Sequence, residues 1–349
     1  MTARGAANHL MPIALYASAL AAALGVGWLL MAQAGHAGLA IYAQTFAKVF
    51  LTWRGLSECL VQATPITMGA LAVAMAARLN LWNIGVEGQF MLGAFAATGV
   101  ALALPGQPAW LLIPLMGAAG FISGGLLAGL CGLMRARLGI NEIVTTLLFN
   151  YVVGLWVGYW VHGPWKAPGS NVPETAEIAA SAQLPVLFPG TRVHLGLLIM
   201  LACAGLCHLF HHRTLWGYRV RAAADNPRAA RTAGIRFAPS VLLVMLLSGG
   251  LAGAGGMLEI SGAIHRLQDG ASPFFTMTVF MVAWIARLNL AGMVVTGFLI
   301  AGLQVGGYYM QFQGLPSAMV SLIEGVVLFA LIALEPLRKR MQSRGQGGE

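Results

Sequence analysis

Apolar segments of about twenty residues recur along this chain almost without interruption, and a water-soluble fold has no core large enough to absorb so many of them. They fall at about 10–33, 58–77, 86–104, 109–134, 143–161, 193–210, 239–259, 272–287, 291–311 and 316–334. Each spans, or nearly spans, the roughly 20 residues that a helix needs to cross a bilayer. The expected fold is all-α, a polytopic transmembrane bundle of about 10 spans. Since no long polar block interrupts the pattern, residues 1–349 read as one transmembrane domain. Only 9% of the residues are charged, against about 25% in soluble domains. The first apolar run exceeds the roughly 7–15 residues of a secretory signal core, so it is expected to remain as an uncleaved span.

The net charge of +9 would fit a nucleic-acid binder, but the placement of the basic residues gives another account. With the N-terminus in the cytoplasm and the spans alternating, 15 of the 20 Lys and Arg fall on the inner side. That bias is what membrane insertion imposes, and it places both termini in the cytoplasm. No nucleic acid is needed to explain the charge.

Between two spans lies a polar, glycine-punctuated island, Leu79-Asn80-Leu81-Trp82-Asn83-Ile84-Gly85-Val86-Glu87-Gly88-Gln89. A carboxylate flanked by amides is costly in lipid, so it is expected to face a cavity, another subunit or water. Gly85 and Gly88 would let the backbone leave the helix, giving a broken or re-entrant segment near 78–90. A short polar turn at the membrane surface is the competing reading. A second polar stripe follows at Asn141, Thr145 and, less closely aligned, Asn150, with Glu142 beside Asn141; it either faces a cavity or reflects capping by Asn141 and Glu142 with threonines bonded to their own backbone.

Small residues four apart, such as Gly120 with Gly124 and Gly249 with Gly253, predict closely packed helices. The proline-rich segment at about 162–192 is the largest outer loop and reads as a cap on a pathway, a partner surface or a plain connection. Within 35–57, Tyr42, Phe46, Val49 and Phe50 predict an amphipathic stretch at the interface. The cytoplasmic segment at about 213–236 specifies a short helix: Asp225 or Asn226 caps it, Pro227 suits its first turn, and Gly234 ends it. So short a helix needs a docking surface, which points to a soluble partner; an arginine-rich loop serving only topology is the alternative.

Enzymatic chemistry finds little support. Lys48, Lys166 and Lys339 are not preceded by glycine, so the chain has no P-loop and any ATPase is a separate polypeptide. Cys203, Cys207 and His211 share a helical face at metal-ligand spacing, but packing cysteines and a histidine at a helix end account for them. No cofactor or metal is expected on this chain.

The segments Asn83 to Gln89, Asn141 to Thr146 with Asn150-Tyr151, and Gly217 to Ile235 together resemble the permeases of bacterial ATP-binding cassette importers. The nearest branch is the one for purine nucleosides, related to simple-sugar and branched-chain amino acid permeases. The resemblance covers about Leu60 to Leu334. It implies an inner-membrane importer working by alternating access, with a second, often non-identical permease, a cytoplasmic ATPase that uses ATP, and an external lipoprotein that delivers the small-molecule substrate. In such an importer the polar island and the segment after it, with Trp82, Asn83, Glu87, Gln89, Asn141, Glu142, Thr145 and Asn150, are expected to line the substrate pathway. Gly217, Arg221, Asp225, Asn226, Pro227, Ala230 and Gly234 would couple to the ATPase. The chain departs from the family at Trp82, where phenylalanine is usual, and at 271–278, where a glycine-rich run is usual. A permease for ribose or galactose is the alternative cargo. An ion-coupled transporter with Glu87 as its proton-linked carboxylate is the alternative class.

Overall fold

The computed structural model describes residues 3–270 and 275–346. Thirteen α-helices form among them: α1 (Ala3–Gln33), α2 (Gly38–Phe50), α3 (Trp53–Ala77), α4 (Val86–Ala103), α5 (Ala109–Leu133), α6 (Glu142–His162), α7 (Gly196–Arg213), α8 (Leu215–Asp225), α9 (Pro227–Thr232), α10 (Phe237–Glu259), α11 (Phe275–Ile285), α12 (Leu290–Phe312) and α13 (Ser317–Gln346). Among the described residues there are isolated β-bridges but no strands. Residues 271–274, half of the segment where the sequence departs from the family, lie outside the described residues.

Among the described residues seven helices are long and apolar enough to cross a membrane: α3, α4, α5, α6, α7, α10 and α12, with α5 and α10 each extended by a π-helical turn. The remaining three expected spans fall on the apolar segments Ser18–Gln33 of α1, Phe275–Ile285, which is α11, and Ser317–Ala333 of α13. All ten expected spans therefore fall on apolar helices, seven of which have crossing length among the described residues.

The chain divides into two compact units, Met1–Leu56 with Gly302–Glu349, and Ser57–Ala301. In the first, α1 packs on α13, and Met31, Ile41, Met310, Leu315, Val320 and Ile323 form a core. The expected amphipathic stretch is α2, whose buried face is Gly38, Ile41, Thr45 and Val49. Tyr42, Phe46, Val49 and Phe50 all line an apolar cavity of about 610 Å³ in this unit.

In the second unit α4, α5 and α10 pack against one another. Their glycines explain how. A Cβ on Gly253 would run into the carbonyl oxygen of Gly120, one on Gly249 into that of Gly124, and one on Gly93 into the backbone of Gly253. With lipid outside, burying apolar surface gives no drive for association, so backbones this close supply it by van der Waals contact. Three helices thus meet without side chains between them, and the polar island is attached to this rigid core.

Candidate functional site

The island is a connection, not a kinked helix. α3 ends at Ala77 and α4 begins at Val86, with residues 78–85 outside any helix. Asn80, at φ +56°, takes the left-handed turn; Gly85 and Gly88 do not, since Gly85 has φ −79° and Gly88 lies within α4. The two glycines serve close approach instead. A Cβ at Gly85 would sit 2.9 Å from Thr146, and one at Gly88 2.9 Å from the Cα of Asn150, so both positions bring α4 onto α6.

Side chains of α6 then hold the connection in order along their own helix. The Glu142 carboxylate lies 3.5 Å from the Trp82 amide and pairs with Arg135 at 3.2 Å. Thr146 Oγ1 accepts from the Ile84 amide at 3.2 Å. Asn150 Oδ1 accepts from the Gly88 amide at 2.8 Å, and its Nδ2 donates to the Ile84 carbonyl at 3.0 Å. The chain from 82 to 88 therefore climbs beside the first two turns of α6. From Glu142 to Asn150 is about 12 Å along a helix rising 1.5 Å per residue, so the island runs beside α6 over that length.

Asn83 and Gln89 are each 1% exposed and bond to each other twice, with Asn83 Nδ2 donating at 2.7 Å and Gln89 Nε2 donating at 2.8 Å. Asn83 also donates to Ser248 Oγ at 2.8 Å and accepts from the Gly85 amide at 3.2 Å, while Ser248 Oγ donates to the Ala72 carbonyl at 2.6 Å. This network joins the island to α3 and α10 and engages both polar atoms of the Asn83 and Gln89 carboxamides within the fold. Trp82 stacks on Phe280, with centroids 6.3 Å apart, and meets Trp284 edge-on at 5.7 Å. Asn141 caps α6 by accepting from the Ile143 amide at 2.9 Å, and Thr145 Oγ1 donates to the Glu142 carbonyl at 3.2 Å.

Glu87 and Asn150 are the expected site residues that the structure brings to a cavity. It holds about 560 Å³, within the range of small-molecule sites. Glu87 Oε2 accepts from Thr276 Oγ1 at 2.9 Å. Most of the remaining lining is a stripe of α6 that the sequence did not single out beyond Tyr151, with Gly154, Leu155, Gly158, Tyr159 and His162 facing Asp269 and Gly270; Met91 of α4 completes it. Steps of three and four residues with two glycines, two tyrosines and a histidine were the available signal. At the far end His162 Nδ1 lies 3.5 Å from Asp269 Oδ2. From Asn150 to His162 is about 18 Å of helix, so a carboxylate stands at each end of an aromatic-walled groove.

The long 162–192 loop is fixed to that far end. The Asp269 amide donates to the Pro173 carbonyl at 3.3 Å, Thr175 and Ile178 amides donate to the carbonyls of Leu267 and His265, and Arg266 pairs with Glu174 at 2.8 Å and Glu177 at 3.2 Å. Desolvation pushes the Glu174 carboxyl up, but its bonds from Arg266, Gln268 and Ser170 together hold it below the ordinary carboxylate range.

The 213–236 segment contains two helices where one was expected. Asn226 caps α9 by accepting from the Arg228 and Ala229 amides at 3.1 Å, Pro227 occupies its first turn, and Gly234 follows with φ +80°. Ahead of it, Thr214 caps α8 by accepting from the Gly217 amide at 3.0 Å. Gly217 fits against the carbonyls at the end of α7, where a Cβ would collide. Val220, Ala223 and Ala230 join a buried cluster with Leu79, Leu81 and Met245, so the helix pair and the island share one core. Arg221 is half-buried on α8, and Asp225 is exposed at its end.

A family model described as the permease component of branched-chain amino acid transport systems matches residues 55–332. The glucose ABC transporter permease protein TsgB13 of Haloferax volcanii is 33% identical over 325 residues, covering 90% of this chain and 85% of the relative. The guanosine ABC transporter permease protein NupP of Bacillus subtilis is 29% identical, covering 90% of this chain and 91% of the relative. The nucleoside ABC transporter permease protein NupB of Lactococcus lactis is 26% identical, with coverage of 87% and 86%.

Proposed function

The chain belongs to the family of permease components of branched-chain amino acid transport systems, and from that premise we propose that it is the membrane permease subunit of an ATP-binding cassette importer for nucleosides, purine nucleosides first. It works by alternating access in a bacterial inner membrane, with both termini cytoplasmic. The chain itself binds no cofactor; a separate ATPase uses ATP, and an external lipoprotein delivers the cargo.

The observation that carries the cargo assignment is the groove between Glu87 and Asp269. A nucleoside has a planar apolar base and a hydroxyl-rich ribose. Tyr151 and Tyr159 offer faces for the base, and stacking tolerates different bases. Glu87 and Asn150 offer an anionic acceptor and an amide for ribose hydroxyls. Leu148, Tyr151, Leu155 and Tyr159 on α6 are all exposed in the single chain, which supports a second permease across the groove. Two differently named permease proteins from each of Bacillus subtilis and Lactococcus lactis resemble this chain, which supports a non-identical partner. The α8–α9 pair, capped and rooted in the same core as the island, is suited to pass ATPase closure to the spans.

A sugar importer is the second reading, favoured by the 33% identity to a glucose permease protein. Uptake of labelled guanosine, adenosine and glucose by cells carrying the full assembly separates the two. Nucleoside uptake that falls at least about tenfold in Glu87→Gln and Tyr159→Ala, the loss of about 1.4 kcal/mol of binding, is the expected result. Glucose uptake alone refutes the cargo, and nucleoside uptake unchanged by both variants refutes the groove.

A further inference from the structure

Two arginines lie at the joint between the island and α8, and among the described residues neither is in an ion pair. Arg78 follows α3 and donates through Nη2 to the Leu288 carbonyl at 2.5 Å, while its Nε is buried with no acceptor. Arg221, on α8, has Nη1 buried in the same condition. Leu79 and Val220, the chain neighbours of the two arginines, share one buried cluster, which brings Arg78 and Arg221 to the same joint. Among the described residues no ion pair reaches either of them. His208, His211 and His212 cluster on the last turns of α7, with neighbouring rings 4.5 and 4.8 Å apart, and add no anion. Asn80 Nδ2 donates to the Ala224 carbonyl at 3.2 Å, so the connection after α3 and the end of α8 are tied together here.

Buried donors without acceptors and like charges side by side have the same remedy, an oxyanion with several acceptor atoms. The planar fork of a guanidinium matches phosphate geometry, and two forks match it better than one. Depth favours such an anion as well. α7 ends at Arg213 and α8 begins at Leu215, so α8 starts where a span stops. Around it are exposed Leu215, Trp216 and Tyr218, with the Arg219 guanidinium 5.2 Å from the Trp216 ring centroid. Aromatic side chains beside clustered arginines at the end of a span are the pattern of the headgroup layer.

We propose that Arg78 and Arg221 together form a phosphate-binding site that locks the end of α3 to α8. The phosphate comes either from an anionic phospholipid of the adjoining leaflet or from solution, and the site is independent of which cargo the groove carries. Bound phosphate neutralises the pair and stiffens the joint through which α8 and α9 act on the island.

The test uses the full assembly with its ATPase in nanodiscs of phosphatidylcholine, compared with phosphatidylcholine plus phosphatidylglycerol, and with phosphatidylcholine plus inorganic phosphate, followed by thermal unfolding. The wild type is expected to unfold at higher temperature with one of the two anions. Arg78→Gln and Arg221→Gln each weaken that dependence about fivefold, the contribution of one arginine at an anionic surface. Stabilisation by phosphatidylglycerol alone identifies the lipid headgroup, and stabilisation by inorganic phosphate identifies the soluble ion. Arg78→Lys keeps the charge without the fork and gives an intermediate dependence, which keeps the test readable where the glutamine variants do not assemble. Equal response of all variants to both anions overturns the proposal. So does carbodiimide coupling of Arg221→Lys to an ATPase carboxylate, which would make the pair a protein contact.

Discussion

Asn83→Ala tests whether the amides of the island are structural. The substitution removes four hydrogen bonds of 2.7, 2.8, 2.8 and 3.2 Å made by one buried carboxamide. At the roughly 0.6 kcal/mol that such bonds average inside membrane proteins, they sum to about 2.4 kcal/mol. Leaving the Gln89 amide buried without its partner adds about 1–3 kcal/mol. The expected destabilisation is therefore about 3–5 kcal/mol, large for a single residue. A double-mutant cycle isolates the pair: Asn83→Leu and Gln89→Leu together should cost less than the sum of the single changes by about 1–3 kcal/mol, because the second removes a group the first has already orphaned. Thermal unfolding of the purified assembly measures the four states, and uptake at varied substrate concentration is followed in parallel. Unfolding temperatures unchanged by Asn83→Ala, with a raised KM for uptake, would refute the structural role and make Asn83 a substrate ligand.

Further outcomes follow from other contacts. Gly253→Val should abolish stable assembly, since its side chain would enter the Gly120 carbonyl and the neighbouring α5 backbone cannot move aside; overpacking of this kind costs about 3 kcal/mol or more. Gly205→Ala, on α7 with nothing within 4 Å, should instead raise stability by about 0.5–1 kcal/mol, and expression and melting of the two variants provide the comparison. Asn226→Ala removes the cap of α9 and Gly234→Ala strains its left-handed end at φ +80°, each by about 1 kcal/mol; transport per ATP hydrolysed should fall while cargo delivery to the outer face is unchanged. The Glu174 carboxyl is depressed in the folded chain, so its contribution is present above the unfolded value of about 4.3 and disappears as pH falls through the lower folded value. Hydrogen exchange in 162–192 should accelerate over that acidic window, and Glu174→Gln should remove the pH dependence.

The helical spans, the cap of α9 and its glycine terminus were legible because they depend on local rules: apolar runs, an N-cap side chain and a positive φ. The helix α8 was not, since Leu215-Trp216-Gly217-Tyr218-Arg219 has no strong local preference, and its buried face exists only through Gly217, Val220 and Ala223 against the spans. Likewise Tyr151, Tyr159 and His162 share a stripe, but nothing in the sequence sets Asp269 opposite them. That pairing needs the 162–192 loop to fold onto 265–269.

By itself the sequence determined that this is a helical membrane protein, which backbone positions cap or break its helices, and which unusual polar residues sit among apolar ones. These are properties of solvent preference and short-range geometry. Tertiary structure alone decided how the polar island divides. Asn83 and Gln89 turn inward to satisfy each other, because an amide buried without partners is too costly to keep. Glu87, in the first turn of α4 two residues before Gln89 and so on the opposite face, meets Thr276 and the groove. The island's glycines were legible as important but for the wrong reason. Gly85 and Gly88 do not release the backbone from a helix; they let α4 lie against Thr146 and Asn150, a contact whose partner stands some sixty residues away in the chain.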